Sequence, residues 1–258
     1  MNIRKLDAEI LNIINDNELS LVNIETLVSL TGISYLYLKP ILRRLVREEQ
    51  LFSLGGGFYC IRNFRNPYVI GNFIVKNGAI AYWSALNIHG LTEQISNVVY
   101  VQSEYRKNDK KIFNTQYKFI KVKPSKIIGI TQMGYGNEQF NVTNVEKTLL
   151  DCFDLPQHSG GYEELIRAFY NAKTSSLRLL DYGKKMGNLS VLKRMAFLSE
   201  LYEMKWFTRF QNGVLKLMNK KYSLLDPMGE NTGEFNSKWR IRINLSKENL
   251  LEMIQKTY

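Results

Sequence analysis

Residues Ser20 to Arg65 read SLVNIETLVSLTGISYLYLKPILRRLVREEQLFSLGGGFYCIRNFR. Apolar residues recur at helical spacing from Val22 to Leu30, and the Thr31-Gly32 pair that follows is typical of a helix end. A second helix is predicted from about Ser34 to Glu48, with Ser34 as its N-cap and apolar residues at i, i+3, i+4 and i+7. Two helices joined by a tight glycine turn indicate a helix-turn-helix.

The second half of this stretch predicts a β-hairpin. Leu51 to Leu54 and Phe58 to Ile61 are short runs of strand-forming residues on either side of Gly55-Gly56-Gly57. With a leading helix predicted from Ile3 to Asn15, these elements make a winged helix-turn-helix, whose second paired helix would enter the major groove of DNA. The candidate DNA-binding residues are Ser34, Tyr35, Tyr37, Lys39, Arg43, Arg44, Arg47, Arg62 and Arg65.

Pro40 and the basic residues near it leave alternatives open. A proline inside a helix removes one backbone hydrogen bond and kinks the helix, unless the regular helix begins near Lys39 with Pro40 in its first turn. The arginines can also form a solvated helix face, and winged helices also serve as protein-interaction modules. The DNA-binding interpretation is favoured because the basic residues cluster after the glycine turn and not before it.

The composition favours a folded protein with a polyanionic partner. The chain is 45% hydrophobic and 23% charged, which is ordinary for a globular protein. Its 258 residues are enough for two modest domains. Its net charge of +11 favours DNA or RNA as a partner. Residues 182–258 carry 14 Lys and Arg against 7 Asp and Glu, whereas residues 1–65 carry 8 against 7. The C-terminal part is therefore a second candidate to touch nucleic acid.

The cysteines and the hydropathy bear on the compartment. Cys60 and Cys152 lack the paired spacing of a zinc site and the density of a disulfide framework, so buried thiols in a reducing cytoplasm are expected. No apolar run approaches the roughly 18–20 residues that span a bilayer, and the first nine residues include several charges. We expect a cytoplasmic protein with no membrane partner.

The remainder of the chain predicts a second, larger domain. Turn-forming residues at Asn66-Pro67 and Gly71-Asn72 place the boundary after residue 66. A buried helix is predicted from Gly78 to His89, and the charged run Arg106 to Lys111 predicts a solvated hairpin tip. Four strands of a mixed or antiparallel sheet are predicted at Asn97 to Ser103, Tyr117 to Val122, Ile127 to Gln132 and Phe140 to Val142. The fold class is α+β, with a winged helix-turn-helix at 1–66 and a mixed α/β domain at 67–258.

The chain from Thr143 onward is predicted to be mainly helical. Thr143 to Glu146 resembles a capping box, in which the Thr143 side chain and Glu146 satisfy each other's backbone amides at the start of a helix that ends at Asp154. Ser246 is the predicted N-cap of the terminal helix. Further helices are predicted at Tyr162 to Asn171, Leu189 to Met204 and Val214 to Met218, with strands at Tyr222 to Leu225 and Trp239 to Asn244.

Residues with catalytic potential are few. His89 and His158 are the only histidines, and neither has a second ligand at metal-binding spacing, so structural roles are expected for both. No phosphate-binding glycine loop is present. The acidic set Glu146, Asp151 and Asp154 leaves a metal-dependent nuclease as an alternative, although Glu146 and Lys147 diverge by about 100° on a helix. We expect no enzyme activity, no metal and no cofactor.

Two stretches of the second domain resemble a known family. The matching residues run from Ala81 to Thr92, with Val98, Tyr100 and Val101 after them, and from Val142 through Glu146 to Asp151, with Pro156 and Gly160-Gly161 beyond. Weaker matches are Leu225 to Pro227 and Trp239 to Asn244. Together with the predicted N-terminal winged helix, these stretches resemble the AbiEi antitoxins of bacterial type IV toxin–antitoxin (abortive-infection) modules.

The resemblance implies a transcriptional repressor and antitoxin used in phage defence. Its winged helix would bind inverted repeats in the promoter of its own operon, and its C-terminal domain would supply the antitoxin activity. The partner toxin of such modules resembles a nucleotidyltransferase, which the antitoxin counters without necessarily forming a stable complex. A protein-interaction antitoxin that neutralises its partner by direct binding is the alternative. Pro40 and the nearly neutral winged unit are departures that leave the DNA affinity of that unit open.

Overall fold

The computed structural model describes residues 3–255, and the side chains of residues 5–255. It is an α+β fold whose helices and strands form three separate sheets and three hydrophobic clusters. The predicted fold class is therefore confirmed at this level.

Residues 3–61 form a compact N-terminal unit of three helices and a three-stranded sheet. Its elements are α1 (Ile3–Asp16), β1 (Leu21–Asn23), α2 (Ile24–Thr31), α3 (Tyr35–Arg47), β2 (Leu51–Gly55) and β3 (Phe58–Ile61). The strands lie in the order β1-β3-β2, with antiparallel pairing throughout. The inward residues of the three helices pack around Leu27 and Leu42, which are fully buried.

α2 begins later than the apolar spacing from Val22 to Leu30 predicted. Leu21 to Asn23 form β1, which pairs with residues 58–60, and Asn23 caps α2 by accepting a hydrogen bond from the Thr26 amide at 2.7 Å. The helix ends as predicted at Gly32, whose left-handed φ of 68° suits a residue without a side chain. Val22 therefore belongs to the sheet and not to the helix.

The predicted hairpin is present, with β2 and β3 joined at Gly56-Gly57. Both residues have positive φ, 66° and 83°, which is the backbone that a two-residue hairpin turn with the right-handed strand twist requires. A Cβ at Gly57 would come 3.3 Å from Ile24 Cγ2, and the Gly57 carbonyl accepts a hydrogen bond from the Ile24 amide. The turn is therefore packed against the start of α2.

Residues 67–73, where turn chemistry was predicted, form a helix instead. α4 (Pro67–Phe73) begins with Pro67 in its first turn and is capped by the Asn66 side chain, which accepts from the amides of Tyr68 and Val69. Val69 and Ile70 are buried in a hydrophobic cluster that also contains Leu54 and Cys60 of the hairpin. The N-terminal unit thus has its own core and shares this second cluster with the rest of the chain.

The second sheet is mixed and has six strands. They are β4 (Ala79–Ile80), β5 (Val98–Ser103), β6 (Lys110–Ile112), β7 (Thr115–Lys121), β8 (Ile130–Met133) and β9 (Phe140–Thr143), in the order β6-β7-β5-β4-β9-β8. The β5/β7 and β4/β9 pairs are parallel and the others antiparallel. The four predicted strands are all found. The prediction missed β6, inside a charged stretch, and β4, which opens the predicted 78–89 helix before α5 (Tyr82–Ile88).

The C-terminal half is a helical layer with a small third sheet. Its helices are α6 (Val145–Asp154), α7 (Tyr162–Asn171), α8 (Ser176–Met186), α9 (Leu189–Leu201), α10 (Thr208–Leu215) and α11 (Lys247–Gln255). The strands β10 (Ser223–Leu224), β11 (Glu234–Asn236) and β12 (Ile241–Ile243) lie in the order β10-β12-β11. The largest hydrophobic cluster joins these helices through buried aromatic residues such as Phe153, Phe169 and Trp239.

The predicted capping box is wrong by one residue. Asn144 is the N-cap of α6 and accepts from the Lys147 amide at 3.0 Å, while Thr143 ends β9 and shares a hydrogen bond with the Thr148 hydroxyl. Glu146 instead accepts from the Ser175 amide at 2.9 Å. The predicted Ser246 cap is confirmed, because its hydroxyl accepts from the Asn249 amide.

Both thiols are buried, as predicted, and should be unreactive in the native protein. Burial raises the pKa of Cys60 to about 11 and that of Cys152 well above its ordinary value. At pH 8 only about a thousandth of a thiol with a pKa near 11 is thiolate, the reactive form. We expect an aromatic disulfide reagent to label neither cysteine of the native protein at pH 8, and both in urea. Rapid release of one equivalent of the aromatic thiolate per protein in the absence of urea would show that one cysteine is accessible, and would contradict this burial.

Candidate nucleic-acid interface

α3 is amphipathic, and its inner side anchors it in the N-terminal unit. Leu38, Ile41, Leu42 and Leu45 are all buried in the core of that unit. Their i, i+3, i+4 and i+7 spacing confines them to one side of the helix. The opposite side of α3 is therefore free to meet a partner.

The outer side of α3 presents a stripe of exposed residues. Leu36, Pro40, Arg43 and Arg47 are spaced by three or four residues, lie on one face and are all exposed. Leu36 is 79% exposed and Tyr37, on the flank, is 73% exposed. On the other flank the Lys39 ammonium lies 5.7 Å from the centroid of the Tyr35 ring. No acidic residue occurs from Ser34 to Arg47, so this surface is uniformly basic and partly apolar.

Ser34 occupies the predicted N-cap position of α3 but makes no capping bond. Its backbone is extended, with φ −65° and ψ 153°, and its side-chain oxygen accepts no capping hydrogen bond from the first turn. The exposed hydroxyl is thus left at the end of the helix that carries Tyr35 and Leu36. It can donate to or accept from a phosphate or a base edge.

Pro40 lies inside a continuous helix. α3 runs from Tyr35 to Arg47, so the regular helix does not begin near Lys39 as one interpretation required. The bond that Pro40 cannot make would have ended on the Leu36 carbonyl. Leu36 and Pro40 are both on the exposed face, where water can hydrogen-bond that carbonyl.

Arg44 does not lie on the outer stripe. Its guanidinium makes a two-point ion pair with the Asp7 carboxylate of α1, with Nε donating to Oδ2 at 2.6 Å and Nη2 donating to Oδ1. Both side chains are largely shielded, with exposed fractions of 21% and 11%. Arg44 therefore joins α1 to α3, and of the two adjacent arginines only Arg43 remains exposed on the outer face.

Replacing Arg44 with alanine is expected to lower the midpoint of thermal unfolding by a few degrees, because it leaves the Asp7 carboxylate shielded and unpaired. Arg43→Ala is the matched control, since it removes the same side chain from the exposed face and should leave the midpoint unchanged within about one degree. Equal midpoints for Arg44→Ala and Arg43→Ala would show that the ion pair with Asp7 contributes no stability.

The two arginines beyond the hairpin are also partly engaged. Arg62 lies beside Glu49, with Nη2 3.7 Å from Oε2, and both side chains are mostly exposed. Arg65 stacks its guanidinium on Phe113, 4.1 Å from the ring centroid, and donates to the backbone carbonyls of Arg62 and Phe64. Arg62 is available to a phosphate, whereas Arg65 mainly ties the hairpin to the six-stranded sheet.

The sequence patterns missed one residue on this surface and one residue beside it. Leu36 was passed over because an exposed leucine has no periodicity signal of its own. Tyr59 of β3 lies near Arg43 but is half-buried against the core of the N-terminal unit. Burial raises the pKa of Tyr59, with a smaller contribution from nearby Tyr35, and the positive charge of Arg43 opposes the rise. Tyr59 is paired with Val22, which is buried in the same core, so this side of β3 faces the helices of the N-terminal unit.

The acidic set in α6 does not converge on an open site. Asp151 is buried in an ion pair with Lys147, and burial raises the pKa of Asp151 to about 6 even though Lys147 opposes the rise. Asp154 pairs with Lys126 and accepts from Asn188 Nδ2 at 2.7 Å. Each carboxylate thus has an internal partner. Within residues 3–255 no three His, Cys, Asp or Glu residues form a group that could hold a metal.

The two histidines are packed against other groups in the fold. The Nε2 atom of His89 lies 2.6 Å from the Thr143 carbonyl oxygen, so it hydrogen-bonds the end of β9. His158 packs against the rings of Tyr82 and Tyr100, with centroid distances of 5.5 and 5.4 Å, and burial lowers its pKa. Both contacts are of the structural kind that the sequence predicted.

Comparison with known proteins identifies a similar fold. No protein-family model matches the chain, and no curated protein matches it in sequence. The crystal structure of the RV2827C protein from Mycobacterium tuberculosis superimposes with a TM-score of 0.65 at 13% identity, covering 96% of this chain and 94% of that one. The similarity therefore extends over nearly the whole chain and concerns the fold alone. Among the helices described here, none is long and apolar enough to cross a bilayer.

Proposed function

We propose that this protein is a DNA-binding transcriptional autorepressor and antitoxin of a type IV toxin–antitoxin system. The observation that carries the DNA-binding part is the outer face of α3, where Arg43 and Arg47 are exposed beside Lys39 in a segment without acidic residues. The order helix, strand, helix, helix, strand, strand in residues 3–61 supports a winged helix-turn-helix, in which such a face enters the major groove.

The side chains on this face suit two kinds of contact. Arg43 and Arg47 can bind guanine edges or phosphates, and Lys39 can bind a phosphate near the start of the helix. Ser34, Tyr35 and Tyr37 can hydrogen-bond the backbone or a base, and Leu36 can contact a thymine methyl group. The hairpin turn is packed against α2 and the Lys110 side chain, so Arg62 at the other end of the hairpin is the better phosphate ligand.

The antitoxin part of the proposal is supported by the AbiEi-like residues at 81–92 and 142–151. They form α5 and α6, which lie side by side in the core of the molecule and not on its surface. The resemblance is therefore carried by packing residues and indicates a shared scaffold. The proposed partner is a nucleotidyltransferase-like toxin, and the proposed compartment is the cytoplasm.

A fluorescence-anisotropy titration on the protein's own upstream promoter tests the DNA-binding part. We expect a preference of about 10³ or more over scrambled DNA of equal length at the same physiological salt. Equal affinity for the two DNAs would show that the basic residues bind DNA without sequence preference, and would contradict the proposed repressor function. An affinity that does not change with salt would likewise argue against phosphate contacts.

The competing function is direct neutralisation of a protein partner. Tyr35, Leu36 and Tyr37 form an exposed apolar group at the start of α3, and such groups also occur at protein interfaces. Co-expression with the neighbouring toxin separates the two functions. A complex that survives high salt and is lost in Leu36→Ala would favour protein binding, whereas operator binding lost in Arg43→Ala would favour DNA.

A further inference from the structure

The small sheet β10-β12-β11 has one packed face and one open face. Ile241 is fully buried and Ile243 is packed against the same hydrophobic cluster, so this side of β12 faces the core. Side chains alternate along a strand, which turns Arg242 to the opposite side. Phe235 is directly opposite Arg242 in the β11/β12 pairing and shares that outer face.

Four side chains on the open face form a continuous row, which we call the Arg–aromatic ladder: Arg240, Tyr222, Phe235 and Arg242. The Arg240 guanidinium carbon lies 5.4 Å from the Tyr222 ring centroid, and its Nη1 donates to the Tyr222 hydroxyl at 3.0 Å. The Tyr222 and Phe235 rings are 4.9 Å apart at 80°. The Arg242 guanidinium carbon then lies 5.1 Å from the Phe235 centroid. Two contacting aromatic rings are thus flanked by a guanidinium group at each end of the row.

The ladder is held in place and yet remains open. Arg242 donates to the Gly233 carbonyl at 3.3 Å and to Asn231 Oδ1 at 2.7 Å, which fixes its guanidinium over the ring. Arg240 has a left-handed φ of 51°, a conformation that glycine or asparagine would adopt more readily. Phe235 nevertheless stays 60% exposed and Tyr222 39% exposed. A fixed aromatic surface left in water is a candidate for stacking against a partner.

The charge around the ladder favours a polyanionic partner. Residues 205–242 contain eight Lys and Arg and only three Asp and Glu, and Lys221 directly precedes Tyr222. This excess favours a polyanion over an apolar or cationic protein surface. Duplex DNA keeps its base faces stacked inside the helix, so it could not use exposed rings. Unpaired nucleotides offer both phosphates for the arginines and free base faces for the rings.

We propose that the Arg–aromatic ladder binds single-stranded nucleic acid, with unpaired bases stacked on Phe235 and Tyr222 and phosphates bound by Arg240 and Arg242. This site is separate from the proposed duplex-binding face of α3. Its specificity for sequence is expected to be low, because every base has an aromatic face.

The test is fluorescence anisotropy of the full chain with labelled 12-nucleotide single strands of mixed sequence, as RNA and as DNA, and with a matched duplex. Phe235→Ala is expected to weaken single-strand binding about tenfold. Trp206→Ala is the matched control, because Trp206 is 58% exposed at a different site, and it should leave affinity unchanged. Arg242→Lys keeps the charge but loses the planar group, and should also weaken binding.

Three results would overturn the proposal: no single-strand binding at physiological salt, equal effects of Phe235→Ala and Trp206→Ala, or a loss in Phe235→Ala that is the same for duplex and single strand. Operator binding by Phe235→Ala is measured beside its single-strand binding and is expected to stay at the parent level, so failure of the α3 interface and failure of the ladder are distinguished. Tighter binding of the RNA or of the DNA strand would support the ladder and identify the source of the unpaired nucleotides. Unchanged thermal midpoints would show that the variants are folded.

Discussion

In the Lys147→Met variant, raising the pH from 6 to 8 is expected to lower the free energy of unfolding by about 2–3 kcal/mol more than it does in the parent protein. Lys147 and Asp151 lie one turn apart on α6 and are 0% and 1% exposed. The Lys147 ammonium pairs with the Asp151 carboxylate and lies 3.4 Å from Gln102 Oε1. Asp151 is thus a buried acid whose ionised form is favoured mainly by Lys147, with a smaller contribution from Lys126.

The sign of the effect follows from the pKa of Asp151. Burial raises this pKa to about 6 in the folded protein, above the ordinary value of 3.8. The group therefore contributes stability that is fully present below pH 3.8 and is lost as the pH rises through 6. Lys147 attracts the carboxylate and lowers the pKa, so its removal raises the pKa and extends the loss to higher pH. Each further pH unit then costs about 1.4 kcal/mol.

Urea unfolding at pH 6, 7 and 8 measures this slope. The double variant Lys147→Met with Asp151→Asn is the control, because it has no titrating group at this position and should recover the pH slope of the parent. Parallel slopes for Lys147→Met and the parent would contradict the assigned role of Lys147. The Oδ2 atom of Asp151 and the Nε2 atom of Gln102 have no hydrogen-bond partner among the described residues.

Replacing Arg43 and Arg47 together with alanine is expected to weaken operator binding by about 2–6 kcal/mol, or about 1–3 kcal/mol for each contact to a base. Both side chains lie on the outer stripe of α3, at i and i+4, where the proposed major-groove face is centred. If they bind phosphates instead, the loss would be uniform across sequences, and the slope of log affinity against log salt would fall by about 2.

Arg209→Ala is the control for charge, since it removes an exposed arginine from α10 and should leave operator affinity nearly unchanged. The titration is repeated at several salt concentrations with operator and scrambled DNA. Unchanged affinity in the Arg43/Arg47 variant, together with specific binding by the parent, would place the DNA-reading surface elsewhere on the molecule. Arg44→Ala is unsuitable for this purpose, because it breaks the ion pair with Asp7.

The periodic parts of this fold were predictable from local pattern. The apolar spacing in α3 and the glycine turn of the hairpin describe interactions within a few residues, and the structure has both. The start of α2 was not predicted from its spacing because Val22 pairs with Tyr59, which is 37 residues away in the chain. Asn23 was the local signal for the true start, since an asparagine before a helical run is a preferred N-cap.

The candidate site was predictable by element but not by side chain. Arg43 and Arg44 are adjacent in sequence, and nothing local distinguishes an arginine that meets solvent from one that meets Asp7 on another helix. The capping box illustrates the same limit, because Thr143 and Asn144 are both good N-caps and only the end of β9 places the helix start after Asn144. The Arg–aromatic ladder depends on three strands whose pairing has no local signal.

The shared core across residue 66 has a consequence for anyone who wishes to use the N-terminal unit by itself. Leu54, Cys60 and Phe64 pack against α4 and the six-stranded sheet, and the Lys110 ammonium donates to the Leu54 carbonyl. A fragment cut after Asn66 would keep its own core around Leu42 but would turn these apolar side chains out into water. Such a fragment would be prone to self-association, so a graft or fusion should retain α4 and its sheet.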